Sequence, residues 1–163
     1  MKLFMKQKLL SFRAHYLIKD DQERDLYTVR LERMTFGKNL RIYDTSGVNI
    51  GSVQQKTFSI RPRYYLYANH QVTAELTKEH SWGLPVFRIT GKPWEIISDM
   101  WAHVFEIKDD LQTVASVTKE WKTWGDSYGM DIVHREDALL VIEIMIAIDC
   151  FFHQQAFAAL AGN

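Results

Sequence analysis

Through the first 130 residues apolar side chains come in short runs, parted by turn-forming residues about every 8 to 12 positions, the rhythm of antiparallel strands in a sandwich or barrel. The stretches His15 to Ile18 and Leu26 to Leu31 flank Asp20-Asp21-Gln22-Glu23-Arg24 and predict a hairpin. A second is predicted by Leu40 to Tyr43 and Val48 to Val53 around Asp44-Thr45-Ser46-Gly47, where aspartate bonds its own backbone and glycine accepts a positive φ. Tyr64 to Tyr67 and Val72 to Leu76 surround Asn69-His70-Gln71, and Val104 to Ile107 and Thr113 to Val117 surround Lys108-Asp109-Asp110 in the same way. Pro62, Pro85 and Pro93 have no amide hydrogen to give a ladder, so they belong at strand starts, edges or loops. With no internal repeat or Pro/Gly-rich linker, residues 1–163 read as a single domain.

The pattern changes after Glu136 and Asp137, two carboxylates placed where a helix begins, and a helix is predicted from Ala138 to Ala161 with Gly162 as its stop. Leu139-Leu140-Val141-Ile142 and Ile144-Met145-Ile146-Ala147-Ile148 are apolar on every side, so this helix is enclosed by protein or by lipid. Each carboxylate near a membrane centre costs about 2.5 to 3.5 kcal/mol, and Glu143 and Asp149 both fall inside the segment. The apolar stretch between them is five residues long, where a spanning helix needs roughly 20. The expectation is therefore a mainly β fold, a closed or nearly closed antiparallel layer threaded by this helix, with no transmembrane span. Glu143 and Asp149 are expected near strand ends or bonded to polar partners, and Asp149 and His153, one turn apart, form a candidate core pair.

Composition fits that picture, since 13% aromatic residues, five of them tryptophan, fill a large interior. The single cysteine, Cys150, cannot form an internal disulfide, and Lys2, Lys6 and Lys8 break up the apolar residues of the first twelve, so a reducing, cytoplasmic setting is expected. Net charge is zero, yet residues 1–68 hold 13 Lys and Arg against 6 Asp and Glu, and residues 69–163 hold 7 against 14. Such an asymmetry reports either an anionic partner or charges that pair across a sheet.

Lys119-Glu120-Trp121-Lys122-Thr123-Trp124-Gly125-Asp126-Ser127-Tyr128 is similar to the K-x-W-x-x-W-x-D-x-Y stretch of the LURP-one-related family, and Ile148-Asp149 closes the apolar helix that follows. Weaker likeness runs from Lys6-Gln7-Lys8 through Tyr16-Leu17-Ile18-Lys19-Asp20 to Leu40-Arg41-Ile42-Tyr43-Asp44 and Gly47, so that most of the chain resembles this branch of the tubby-like superfamily, which also holds the tubby C-terminal domain and the phospholipid scramblases. The resemblance implies a barrel of twelve antiparallel strands around a central hydrophobic helix. It transfers no phosphoinositide-site residues, because no local motif fixes the correspondence, and the acidic calcium segment of scramblases has no counterpart here.

Catalytic motifs are weak. Gly125-Asp126-Ser127-Tyr128-Gly129 matches G-x-S-x-G, with Asp131, His134 and His153 downstream, but that motif acts only between a buried parallel strand and a helix, and the flanking segments alternate like antiparallel strands. The six histidines show no metal-ligand spacing, Asp20-Asp21-Gln22-Glu23 lacks the order of a calcium loop, and no phosphate-cradling or dinucleotide motif implies a cofactor. The most suggestive cluster is Lys38, Arg41, Lys56, Arg61 and Arg63 with Tyr65, and with Phe58, Tyr64 and Tyr67 nearby, which suits an anionic lipid head group at a membrane surface as readily as the outer charges of a barrel. A non-enzymatic binding module, peripheral at an inner membrane surface, is the leading expectation. The alternatives are a protein-interaction domain anchored by Trp82, Trp94 or Trp101 and, behind it, a scramblase-like or esterase-like enzyme; nucleic acid is disfavoured by the absence of any reader motif.

Overall fold

The computed structural model describes residues 1–7, 14–33, 37–81, 84–99, 104–122 and 125–161. Twelve strands come first: β1 (Lys2–Gln7), β2 (Ala14–Asp20), β3 (Asp25–Arg33), β4 (Lys38–Asp44), β5 (Asn49–Gln55), β6 (Arg63–Ala68), β7 (Gln71–Ser81), β8 (Leu84–Thr90), β9 (Trp94–Asp99), β10 (Val104–Asp109), β11 (Gln112–Lys122) and β12 (Gly125–Ile132). A short 3-10 turn, Arg135–Asp137, leads into α1 (Ala138–Ala161), the span the apolar run predicts. The four hairpins read from the sequence are present as β2–β3, β4–β5, β6–β7 and β10–β11.

Every ladder is antiparallel, and the sheet runs β8-β7-β6-β5-β4-β3-β2-β1-β12-β11-β10-β9. Pairing of β1 with β12 brings the two ends of the meander together, while β8 and β9 remain the ends of the sheet, so the barrel is nearly closed. Pro85 lies in β8 and Pro93 just before β9, on the two strands with a free edge, as their missing amide requires.

Turn chemistry follows the residue types. Oδ1 of Asp44 accepts from the Ser46 and Val48 amides at 2.9 Å, and Gly47 takes φ +81°. At the β2–β3 turn Oδ1 of Asp20 accepts the amides of Gln22 and Arg24, both at 2.9 Å, while Arg24 pairs with Oδ2 at 2.7 Å, which uses up the carboxylate that a calcium loop would need.

Alternate strand residues such as Leu3 and Met5, Leu40 and Ile42, Tyr64 and Leu66 point inward and are buried. They enclose α1, whose residues Val141 to Cys150 are all buried, and the helix packs most closely on β5, β6 and β7. The strands shield the apolar run in place of lipid, and among the described residues no helix is long and apolar enough to cross a membrane. The opposed charge halves meet in part across the sheet, where Lys2 faces Asp131, Arg61 faces Glu79 and Arg63 faces Glu75.

Candidate functional site

Between the end of β5 and the start of β6 the chain runs Lys56-Thr57-Phe58-Ser59-Ile60-Arg61-Pro62. The Lys56 amide bonds the Arg63 carbonyl at 2.9 Å and closes the base of this loop, while Phe58 takes φ +59°, a left-handed conformation that bulky residues seldom adopt. Phe58 is 94% and Ile60 103% exposed. Beneath them lies a hollow of about 440 Å³ whose lining includes Gly37, Gln55, Thr57 and Pro62.

Cationic side chains surround the loop on the outer face. The Lys56 ammonium sits 5.6 Å from the centre of the Tyr65 ring, Arg63 pairs with Glu75 at 3.0 Å, and Arg61 and Arg88 share Glu79 at 2.9 and 3.4 Å. Because one carboxylate serves two arginines and Lys56 rests on a ring, this outer patch keeps a surplus of positive charge.

Of the six residues proposed from sequence, the structure brings together Lys56, Arg61, Arg63 and Tyr65. Arg41 stands apart at the middle of β4, where its guanidinium pairs with Glu32 at 2.9 Å. Lys38 shares the inward face of β4 with Leu40 and Ile42. Sequence reasoning missed Ile60 altogether and noted Phe58 only as a neighbour. The available signal was two large apolar residues in a segment with no strand alternation, bracketed by Lys56 and by Arg61-Pro62.

The acidic pair of the helix divides into two kinds of site. Asp149 accepts hydrogen bonds from the Tyr16 phenol at 2.6 Å and the Tyr128 phenol at 3.0 Å, so two strands supply polar partners; the His153 side chain lies outside the described residues. Burial raises the Tyr16 and Tyr64 phenols above their usual range and pushes the Cys150 thiol up to about 11, so all three remain protonated at neutral pH.

Glu143 lies beside Gly51 and Tyr67, near the start of β5 and the end of β6, but without the polar partner that Asp149 has. It is fully buried, and neither carboxyl oxygen makes a hydrogen bond of good geometry. Burial pushes its carboxyl up to about 9, against a small opposing pull from the Ser52 amide, so the group is neutral at pH 7. Gly51 of β5 makes the room, since a Cβ there would stand 2.5 Å from Oε1 of Glu143 and 3.0 Å from both Leu139 and the Tyr67 carbonyl. Gly51→Ala is accordingly expected to lower the unfolding free energy by about 2 kcal/mol, read from the urea midpoint.

Ser127 lies within β12, between β1 and β11, and its hydroxyl faces the Glu120 carbonyl at 3.4 Å. A residue inside an antiparallel strand has none of the strand-to-helix geometry of a nucleophile elbow. Among the described residues no three His, Cys, Asp or Glu side chains come together to hold a metal ion. Trp94 is buried under the Lys92 ammonium, 5.4 Å away, which makes it a core residue rather than an exposed anchor; Trp82 and Trp101 lie outside the described residues.

Known proteins carry the same architecture. The structure is similar to the X-ray structure of the Arabidopsis thaliana protein AT5G01750, with a TM-score of 0.63 over 91% of each chain at 10% identity, a likeness of fold. In sequence the chain is 37% identical over 147 residues to the uncharacterized protein YxjI of Bacillus subtilis (strain 168), covering 90% of this chain and 91% of that one. The LURP-one-related family model matches residues 1–149, from β1 to the helix carboxylate Asp149, and the chain belongs to that family.

Proposed function

We propose that this barrel is a non-enzymatic module that docks on an anionic membrane surface through the β5–β6 loop. The observation that carries the reading is the loop tip itself, where Phe58 and Ile60 stand almost wholly in solvent between Lys56 and Arg61. Burying such side chains among lipid tails contributes about 1.5 to 3 kcal/mol each, and a basic residue near an anionic surface adds about 1 kcal/mol. A tip of this composition, rimmed by a positive surplus, matches an acidic bilayer at the inner face of a cell membrane better than it matches water.

Co-sedimentation with vesicles tests it. The chain is expected to pellet with phosphatidylserine-containing vesicles at low salt, to release as salt rises, and to ignore neutral phosphatidylcholine vesicles. The double variant Phe58→Ser, Ile60→Ser is expected to bind about tenfold or more weakly, with a urea midpoint close to that of wild type because both side chains are almost wholly exposed. Folded wild-type chain that stays in the supernatant with anionic vesicles at low salt overturns the reading.

A further inference from the structure

β8 and β9 are joined only by Gly91-Lys92-Pro93, yet no ladder links them, although short connections close β6 on β7 and β10 on β11. Gly91 takes φ +94° and stays against β7, where a Cβ would stand 2.7 Å from the Thr73 carbonyl, and Pro93 has no amide to give. A hollow of about 450 Å³ lies along this seam, its described lining drawn from β8, the connection and β9, with Phe87 and Ile89 on one side and Trp94 and Ile96 on the other.

Two bonds on neighbouring strands fix which way the backbone groups of these edges point. The Lys78 amide donates to the Pro62 carbonyl at 3.0 Å, so Lys78 turns its backbone toward β6, and Phe87, its partner across β7 and β8, turns its N–H and C=O away from β7. Ile89 and Pro85 share that direction, which suits a proline with no hydrogen to donate. On the other edge the Ile132 amide donates to the Met1 carbonyl at 2.8 Å, and the register carries the alternation through Ala115 and Ile107 to Ile96. Ile96 and Trp94 therefore turn their N–H and C=O away from β10. The two edges present backbone donors and acceptors to the hollow that no strand among the described residues takes up.

Side chains set the character of the seam on both faces. Inside the barrel the Phe87 ring meets Phe151 and Phe152 of α1 at 5.6 and 6.0 Å. Outside, Val86 and Ile97 are exposed apolar residues on the two strands. Arg88 and Lys92 outnumber Glu95 along the lining, and the carboxylate that Arg88 meets, Glu79, is shared with Arg61.

We propose that this seam takes up an extended peptide segment of another protein, laid as a strand between β8 and β9 to complete the barrel wall. Rows of unpaired N–H and C=O groups match a peptide backbone, whereas an acyl chain offers them nothing. Both edges belong to one wall, so the occupant is a single strand; the edge of a second barrel carries its own sheet behind it and does not fit between them. Because β8 and β9 run in opposite directions, the segment bonds antiparallel to one and parallel to the other. Its side chains alternate, apolar toward the phenylalanines and beside Val86 and Ile97, with an acidic residue to answer Arg88 and Lys92. The inference goes beyond the membrane reading and does not rest on it, since its test contains no vesicle.

The test selects binders to the full chain from a random heptapeptide phage library, seven residues being the length of β8. Enriched peptides are expected to be apolar, to carry an acidic residue and to lack a central proline. Made synthetically, they are expected to bind the double variant Val86→Asp, Ile97→Asp about tenfold or more weakly than wild type. The urea midpoint of that variant is expected to stay close to wild type, because both side chains are exposed. Amide hydrogen exchange locates the bound strand. In the chain alone the Phe87, Ile89 and Ile96 amides are expected to exchange at least about tenfold faster than those of Arg88 and Ile97, which point into the ladders, and the peptide is expected to slow the first three alone. A library that enriches no sequence, a peptide that leaves those three amides unmoved, or edge amides as slow as Arg88 in the chain alone overturns the proposal. Slowing of the same amides by oleate in place of any peptide assigns the seam to an acyl chain and overturns it equally.

Discussion

Asp149→Ala is expected to lower the unfolding free energy by about 4 kcal/mol, a large share of the 5 to 15 kcal/mol that holds a domain of ordinary stability. The carboxylate joins three elements. Tyr16 of β2 donates to one oxygen at 2.6 Å and Tyr128 of β12 to the other at 3.0 Å, so a helix and two strands on either side of β1 share one buried acceptor. Its removal takes the carboxylate acceptor away from two buried phenol hydroxyls, a loss of about 1 to 3 kcal/mol each, and leaves a cavity besides. Asp149→Asn keeps one acceptor oxygen and is expected to lose about half as much. Tyr16→Phe, which breaks the shorter bond, is expected to lose more than Tyr128→Phe. Urea denaturation followed by tryptophan fluorescence ranks the four variants, and an Asp149→Ala midpoint equal to wild type removes the carboxylate from any account of stability.

That network shows how the sequence carried some features and hid others. The apolar run of α1 was legible because its composition excludes every environment but an enclosing wall, and the hairpins were legible because Asp44 and Gly47 do local chemistry that needs no distant partner. β1, β8 and β9 were not read as strands. In β1 the outward Phe4 and the lysines at its ends blur the alternation of Leu3 and Met5, and in β9 the outward Ile97 follows the inward Ile96, so each strand is specified by the neighbours that bury it. Polar partners were harder still. His153 is the neighbour of Asp149 along the helix, whereas Tyr16 is 133 residues away and Tyr128 is 21, separations that only the ladder closing β1 on β12 makes short. The basic cluster divides for a similar reason, since residue spacing grouped Lys38 with Arg41 and strand parity sends one inward and the other out.

Glu143 supplies the pH dependence of this fold. In the folded chain burial pushes its carboxyl up to about 9, and in the unfolded chain it titrates near the ordinary glutamate value of about 4.3. Between those two values the folded state holds a proton that the unfolded state has lost, so stability is full below the unfolded pKa and falls as pH rises, by at most about 1.4 kcal/mol per pH unit. From pH 5 to pH 7 the wild type is expected to lose about 2.5 kcal/mol through this one group. Glu143→Gln keeps the size of the side chain and its fit against Gly51 but carries no titrating proton. Urea denaturation of both proteins at several pH values should therefore give free energies whose gap, with the variant the more stable, widens by about 2.5 kcal/mol from pH 5 to pH 7. Subtracting the two curves cancels every other titrating group, which makes the difference specific to Glu143. Curves that run parallel across this interval would mean that the carboxyl ionises as easily inside the barrel as in water, and a charge so buried would then need a partner that neither Ser52 nor Gly51 provides.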